Sequence, residues 1–307
     1  MALPENLPVS LPKEVFAEIR RLHFQTRRLA TEGLSGTYKS AFKGRGIEFE
    51  DVREYIPGDD VRTIDWKVTA RSRSTYIKSY REERELTVMI ALDISGSTMT
   101  GTRRQLKESL IARLGAVLAL TALRNNDKVG LVTFSDVVSS YHPPRKARSA
   151  VWRILHEVLT PQVEHRGTDL PAVLTLLRRV LRRSSVVFII SDFASPPYER
   201  ELAMLAKRHD VNAFIISDPA DLELPAAGLV TFTDPESGGT RIIDTGSAAV
   251  RREFSKLSDL RRQALIGAFM RLGIDHLDLK TNVPFSRDLR QFFDSKTAKR
   301  TAAVRGR

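Results

Sequence analysis

The chain has 307 residues, 42% of them apolar, no cysteine and a formal net charge of +12. That length supports one large domain with an appendage, or two small domains. The missing cysteines exclude disulfides, thiolate metal sites and cysteine nucleophiles, and suit a reducing compartment. The positive charge admits a nucleic-acid or acidic partner, although much of it solvates helix faces such as RRVLRR (178–183). The opening MALPENLPVS has neither the basic nor the apolar region of a secretory leader. No apolar run nears the roughly 18–20 residues of a membrane span. A soluble, cytoplasmic protein is expected.

Residues 10–31 predict an amphipathic helix, with Ser10 as N-cap, Pro12 in the first turn, and Val15, Ile19, Leu22, Thr26 and Leu29 at helical spacing. Gly33, Gly36, Gly44 and Gly46 then break the pattern into turns. Residues 47–85 are rich in β-branched and aromatic side chains around Pro57-Gly58-Asp59-Asp60, which predicts short strands and turns. Arg53, Arg62 and Arg71 stand near Asp59, Asp60 and Asp65 in sequence, with Tyr55 and Trp66 among them. A charge-assisted network is expected, serving structure or the docking of a partner, with Trp66 as an anchor. Residues 1–85 thus form an N-terminal appendage of helix and short strands.

From residue 86 strand-like runs alternate with helical stretches. TVMIALDIS precedes a helix over 103–124, and KVGLVTFS precedes one over 146–159. A helix over 169–182 leads into SVVFIISDF, and one over 199–208 into VNAFIISDP. LGAVLALTAL (114–123) reads as a buried helix face. Unbroken apolar strands alternating with helices predict a doubly wound, mostly parallel α/β sheet over 86–283. A hairpin is expected over 229–246 around Glu236-Ser237-Gly238-Gly239, then a long helix over 247–271 and a strand over 274–281. Residues 284–307 hold a short closing helix over 284–293 and a basic tail that frays.

Ligands of such sheets sit beyond the carboxyl ends of the strands. Asp93 ends the first strand, and Ser95 and Ser97 follow at two-residue steps, which lets all three side chains point one way. Alone, this pattern also suits a helix cap. Thr168, on a later loop, and Asp192, ending the strand VVFII, complete a five-oxygen set suited to a hard cation, Mg²⁺ or Mn²⁺. Asp169 is expected to cap a helix. IISDP (215–219) echoes IISDF (189–193), so Asp218 also ends a strand. With strands about 4.8 Å apart, Asp218 is too distant if its strand lies one further out.

The set Asp93-x-Ser95-x-Ser97, Thr168 and Asp192 resembles the metal-ion-dependent adhesion site of von Willebrand factor A domains. The resemblance implies direct ligation by the serines and threonine, aspartates that often act through water, and one open position filled by a partner's carboxylate. The string GRGIEFEDVREYIPGDDVRTIDWKVTAR (44–71) ahead of DISGST extends the match over nearly the whole chain. It resembles the bacterial family called domain of unknown function 58. Thr98 intervenes before Met99, where that family often has Met directly after the second serine. Many of its members also carry transmembrane helices near the N-terminus. The resemblance implies partnership with a MoxR-type AAA+ ATPase, as an adaptor or co-chaperone gripping a client's Asp or Glu.

Enzyme readings fit less well. An aspartyl nucleophile of the haloacid dehalogenase kind wants a second acid where Ser95 stands. No GxxxxGK[ST] loop and no GxSxG elbow occurs, and the six histidines show no metal-ligand spacing. The expectation is a non-enzymatic interaction module. The alternatives are a nucleic-acid-binding protein or, more weakly, a metal-dependent phosphohydrolase.

Overall fold

The computed structural model describes residues 34–42, 48–72, 74–81, 85–99, 106–160, 167–234 and 238–305. The helix expected over 10–31 lies outside them. Two compact units divide the chain at Phe42 and Leu86. Helix α1 (Ser35–Phe42) runs up to the first boundary.

The small unit holds strands β1 (Glu48–Glu54) and β2 (Tyr76–Arg81), paired antiparallel. Ile56-Pro57-Gly58-Asp59 closes a turn, with Asp59 N–H donating to Ile56 O at 3.0 Å. Gly58 sits at φ 112°, where only glycine is comfortable, and Pro57 presets the residue before it. Asp60 caps a 3-10 turn (Val61–Thr63), and Asp65 caps a four-residue helix, α2 (Trp66–Thr69).

The large unit is built on a six-stranded sheet in the order β10-β7-β6-β3-β4-β5. Its first strand, β3 (Thr87–Asp93), is buried from Val88 onward and has parallel neighbours on both sides. Helix α3 (Lys107–Arg124) follows, and its run Leu114–Ala122 is buried throughout, as LGAVLALTAL led one to expect. β4 (Lys128–Phe134) returns parallel to β3.

Next comes an unexpected strand, β5 (Val138–Arg145), antiparallel to β4 at the sheet edge. Pro143 and Pro144 argue against a central strand, but an edge strand tolerates them because its outer side needs no donor. The register shifts between Val129 and Leu131. Gly130 sits in that gap, where a Cβ would lie 2.8 Å from His142 O.

Helices α4 (Arg148–Leu159) and α5 (Leu170–Val180) precede β6 (Val186–Ser191). Then come α6 (Glu199–Ala206), β7 (Asp210–Ser217) and the short α7 (Pro219–Leu222). The expected hairpin is present as β8 (Leu229–Thr233) and β9 (Thr240–Asp244); its tip, 235–237, lies outside the described residues. Helix α8 (Ala248–Arg271) and β10 (Asp275–Lys280) complete the sheet. Alternate side chains of β3 and β4, such as Met89, Ala91, Val132 and Phe134, share one core with Leu174 of α5 and Phe269 of α8. The larger of these side chains each contribute about 1.5–3 kcal/mol when fully buried.

The chain closes differently from expectation. Helix α9 spans Ser286–Arg305, not only 284–293, and takes in most of the basic tail. Lys296 Nζ lies 2.6 Å from Asp210 Oδ1 and 2.8 Å from Asp275 Oδ2, and Lys299 Nζ lies 2.7 Å from Asp275 Oδ1. Arg300 donates to Ala41 O at 2.7 Å. Carboxylates at the strand entries hold the cations that, read in sequence alone, looked unpaired.

Candidate metal centre

Asp93 is the last residue of β3, and Ser95 and Ser97 stand on the turn that follows. Asp192 follows β6, the hydrogen-bonded neighbour of β3. Strand order reverses between β3 and β6: the chain leaves β3 for β4 on one side and returns through β6 on the other. Such a switch point opens a crevice at the carboxyl ends of the strands. β7 lies one strand further out, so Asp218 is separated from β3 by the whole of β6. Asp218 instead caps α7 and accepts the Thr281 hydroxyl at 2.5 Å.

Asp93 is only 1% exposed. Its Oδ1 accepts the Ser95 N–H at 2.9 Å, and its Oδ2 accepts the Ser191 hydroxyl at 2.5 Å. The hydroxyls of Ser95 and Ser97, both buried, lie 3.0 Å apart. Thr98 turns away to donate to Ser95 O at 2.7 Å, which tightens the turn. Burial pushes the Asp93 carboxyl up to about 7, and the charge of Asp192 adds to the effect. Hydrogen bonds from Ser191 and Ser95 pull the other way. Two carboxylates in a place with little water leave an excess of negative potential, which a cation would relieve.

Thr168, also buried, precedes α5, which Asp169 caps by accepting Ala172 N–H at 3.0 Å. Asp169 N–H donates to Ser135 O at 2.8 Å, tying this loop to the end of β4. Ser195 Oγ accepts Leu170 N–H at 3.1 Å and donates to Thr168 O at 3.4 Å, tying it to the loop after β6. The Thr168 loop is thus joined by hydrogen bonds to the end of β4 and to the loop that carries Asp192.

Asp192 is held differently. Its Oδ1 accepts Ala194 N–H at 3.1 Å, and its Oδ2 lies 3.3 Å from Lys107 Nζ. Lys107 is 3% exposed and also meets Asp221 Oδ2 at 2.8 Å. Burial pulls the Lys107 ammonium down, but Asp192 and Asp221 outweigh it and keep the group charged. Phe193, next in the chain, is in the left-handed region at φ 58°. A bulky residue there costs on the order of 1–3 kcal/mol, which packing offsets. Its ring lies 5.0 Å from Phe269, and its N–H donates to Ser191 Oγ at 2.9 Å.

Among the described residues no three His, Cys, Asp or Glu side chains converge on a metal position. The donor set here has only two carboxylates; its other members are hydroxyls. Oxygen donors of this kind suit a hard cation such as Mg²⁺, and a cation bound with little negative charge stays electrophilic. A cleft of about 820 Å³ along α8, with Arg251, Arg252 and Lys256 in its wall, includes none of these residues. Ser191 and Lys107 were not singled out in the sequence. The only hint was the Ser directly before Asp192.

In the small unit one pair of the expected charge network is in place among the described residues. Arg53 grips Asp59 with both terminal nitrogens, at 2.7 and 2.9 Å. Asp60 and Asp65 turn to backbone N–H groups as caps. Among the described residues Arg62 and Arg71 form no ion pair, and Tyr55 is half-buried. Trp66, expected as an anchor, opens α2 and is 70% exposed.

The described helices include none long and apolar enough to cross a membrane. Sequence comparison finds an uncharacterized protein of Mycobacterium tuberculosis, 30% identical over 283 residues, which span 91% of this chain and 89% of that protein. A Mycobacterium avium protein is 34% identical over 169 residues, 54% of this chain and 97% of its own length. Among solved structures, the conserved hypothetical protein BatB of Bacteroides thetaiotaomicron aligns with 70% of this chain and 99% of its own, at 18% identity and a TM-score of 0.45. Proximal thread matrix protein 1 of the mussel byssus, solved with a zinc-occupied MIDAS motif, aligns with 44% of this chain and 39% of its own, at 18% identity and a TM-score of 0.36. The profile of the family described as "Protein of unknown function DUF58" matches residues 51–264, well over half of the sequence, and the chain belongs to that family.

Proposed function

We propose that this protein is a cation-dependent protein-interaction module rather than an enzyme. Asp93, Ser95, Ser97, Thr168 and Asp192 hold Mg²⁺ or Mn²⁺, and an Asp or Glu of a partner protein completes the shell. The bound cation supplies a positive point that a carboxylate can grip. The observation that carries this reading is the placement of buried Asp93 at the end of β3 and of Asp192 just past the end of its neighbour β6, beside two buried serine hydroxyls 3.0 Å apart. The resemblance set out for the sequence supports a MoxR-type AAA+ ATPase as the machine with which the module works, in an adaptor or co-chaperone role. Recovery of that ATPase on immobilised wild type and Asp93→Ala, with and without EDTA, tests the proposal. Loss of recovery in the variant and in EDTA is expected; equal recovery in all four cases refutes a cation bridge.

A second reading, nucleic-acid binding, is favoured by one surface. Arg178 and Arg179 end α5, Arg182 and Arg183 precede β6, and Lys207 and Arg208 precede β7, all exposed. Arg208 donates to Arg182 O at 3.3 Å, which draws the two loops together. If these six groups meet phosphates, affinity falls by about a thousandfold between 50 and 200 mM salt. A flat salt response, or no binding near 50 mM salt, removes this reading.

A further inference from the structure

We propose that Lys107 is a built-in competitor for the cation, setting how weakly the site holds a divalent ion in the absence of a partner. The inference rests on the cation reading above and adds a residue outside the expected donor set. Lys107 opens α3 and is almost wholly buried. Among the described residues its ammonium meets two carboxylates, Asp192 Oδ2 at 3.3 Å and Asp221 Oδ2 at 2.8 Å. The two contacts are unequal in kind as well as length. Asp221 is fixed, because its Oδ2 also accepts the Asp218 N–H at 2.8 Å in the capping box of α7. Asp192 has its second oxygen on a backbone N–H of the next loop.

The ammonium is therefore parked on Asp221 while it neutralises part of Asp192. A divalent ion beside Asp192 meets a carboxylate whose pull is already shared, and a like charge a few ångströms away. Both effects lower cation affinity, and both act strongly because water is scarce there. A partner carboxylate arriving at the cation adds the missing negative charge, so cation and partner bind better together than either does alone. Asp221, on α7, is the handle: it decides how far Lys107 leans toward Asp192.

The test is Mn²⁺ titration of the full chain, by calorimetry and by paramagnetic resonance of free Mn²⁺. The proteins are wild type, Lys107→Met, Lys107→Arg and Asp221→Asn. Lys107→Met removes the charge at similar length and is expected to bind Mn²⁺ about tenfold tighter. Lys107→Arg keeps the charge and stays within about threefold of wild type. Asp221→Asn keeps a cap acceptor but releases the ammonium toward Asp192, and binds more weakly. A residue that merely supports the fold would not tighten binding when removed. If wild type binds and folded Lys107→Met binds equally or less well, the competitor role is overturned and the cation reading stands. If Lys107→Met does not fold, Asp221→Asn decides, and unchanged or tighter binding there overturns the role. If no protein binds Mn²⁺, both readings fall.

Discussion

The Ser191 hydroxyl donates to Asp93 Oδ2 at 2.5 Å, from β6 across to β3, and is itself held by the Phe193 N–H. A buried carboxylate with one oxygen on its own turn and the other on the neighbouring strand has a fixed direction. Ser191→Ala would leave Oδ2 without that donor at a fully buried position. The expected loss of stability is about 1–3 kcal/mol. Urea denaturation of the two proteins measures it. An undiminished midpoint would mean that the bond does no more than water does.

Cation binding by the folded state alone raises the unfolding temperature. At a concentration a hundred times the dissociation constant the gain is about 2.7 kcal/mol, or roughly 5–10 °C for a chain of this size. Wild type should show such a rise on addition of Mg²⁺ or Mn²⁺, and Asp93→Asn should show none. Thermal melts with a matched series of Ca²⁺, Mg²⁺ and Mn²⁺ test this and rank the ions. An equal rise in the variant places the ion elsewhere.

The Lys296 cluster gives a dependence on acid. Burial pushes the Asp275 carboxyl up, but hydrogen bonds and charge from Lys296 and Lys299 outweigh it and hold it below the ordinary value of 3.8. A carboxyl depressed in the folded state stabilises the fold above 3.8, and that stability is lost as pH falls through the folded value. Lys296→Met should cost about 1–3 kcal/mol at neutral pH, because it removes the cation shared by Asp210 and Asp275 and leaves Asp275 with Lys299 alone. It should also flatten the fall in stability below about pH 4. Denaturation midpoints across pH 2.5–7 for both proteins check the sign and the window.

The edge of the sheet can be probed at one atom. A Cβ on Gly130 would meet His142 O at 2.8 Å and Pro144 N at 2.9 Å, both backbone atoms of β5. β5 would have to move, so Gly130→Ala is expected to destabilise by about 1–3 kcal/mol. Hydrogen exchange should show faster opening in β5 and little change in β3. A variant as stable as wild type would mean that the edge yields freely.

Much of the frame can be read from the residues alone. Unbroken apolar runs ending in Asp mark β3 and β6, and the two-residue steps of Ser95 and Ser97 mark the turn after β3. Choosing Asp192 over Asp218 needed only an assumption about strand order, and the sheet has that order. Other features depend on register or distance. Ser191 matters because β6 lies beside β3, and Lys107 meets Asp192 across 85 residues of chain. β5 was hidden by its two prolines, whose exclusion from strands does not hold at an edge. The second half of α9 reads as a fraying tail in sequence because its counter-charges, Asp210 and Asp275, come from other elements.

The parallel run of β6 and β7 has a consequence for assembly. Arg182, Arg183, Lys207 and Arg208 stand where these strands begin, while Asp192 stands where β6 ends. Six extended residues at about 3.3 Å each put roughly 20 Å between the two poles. An anion met at one pole does not cover the other, so on the two readings proposed above the basic pole and the cation site are open to different partners at the same time.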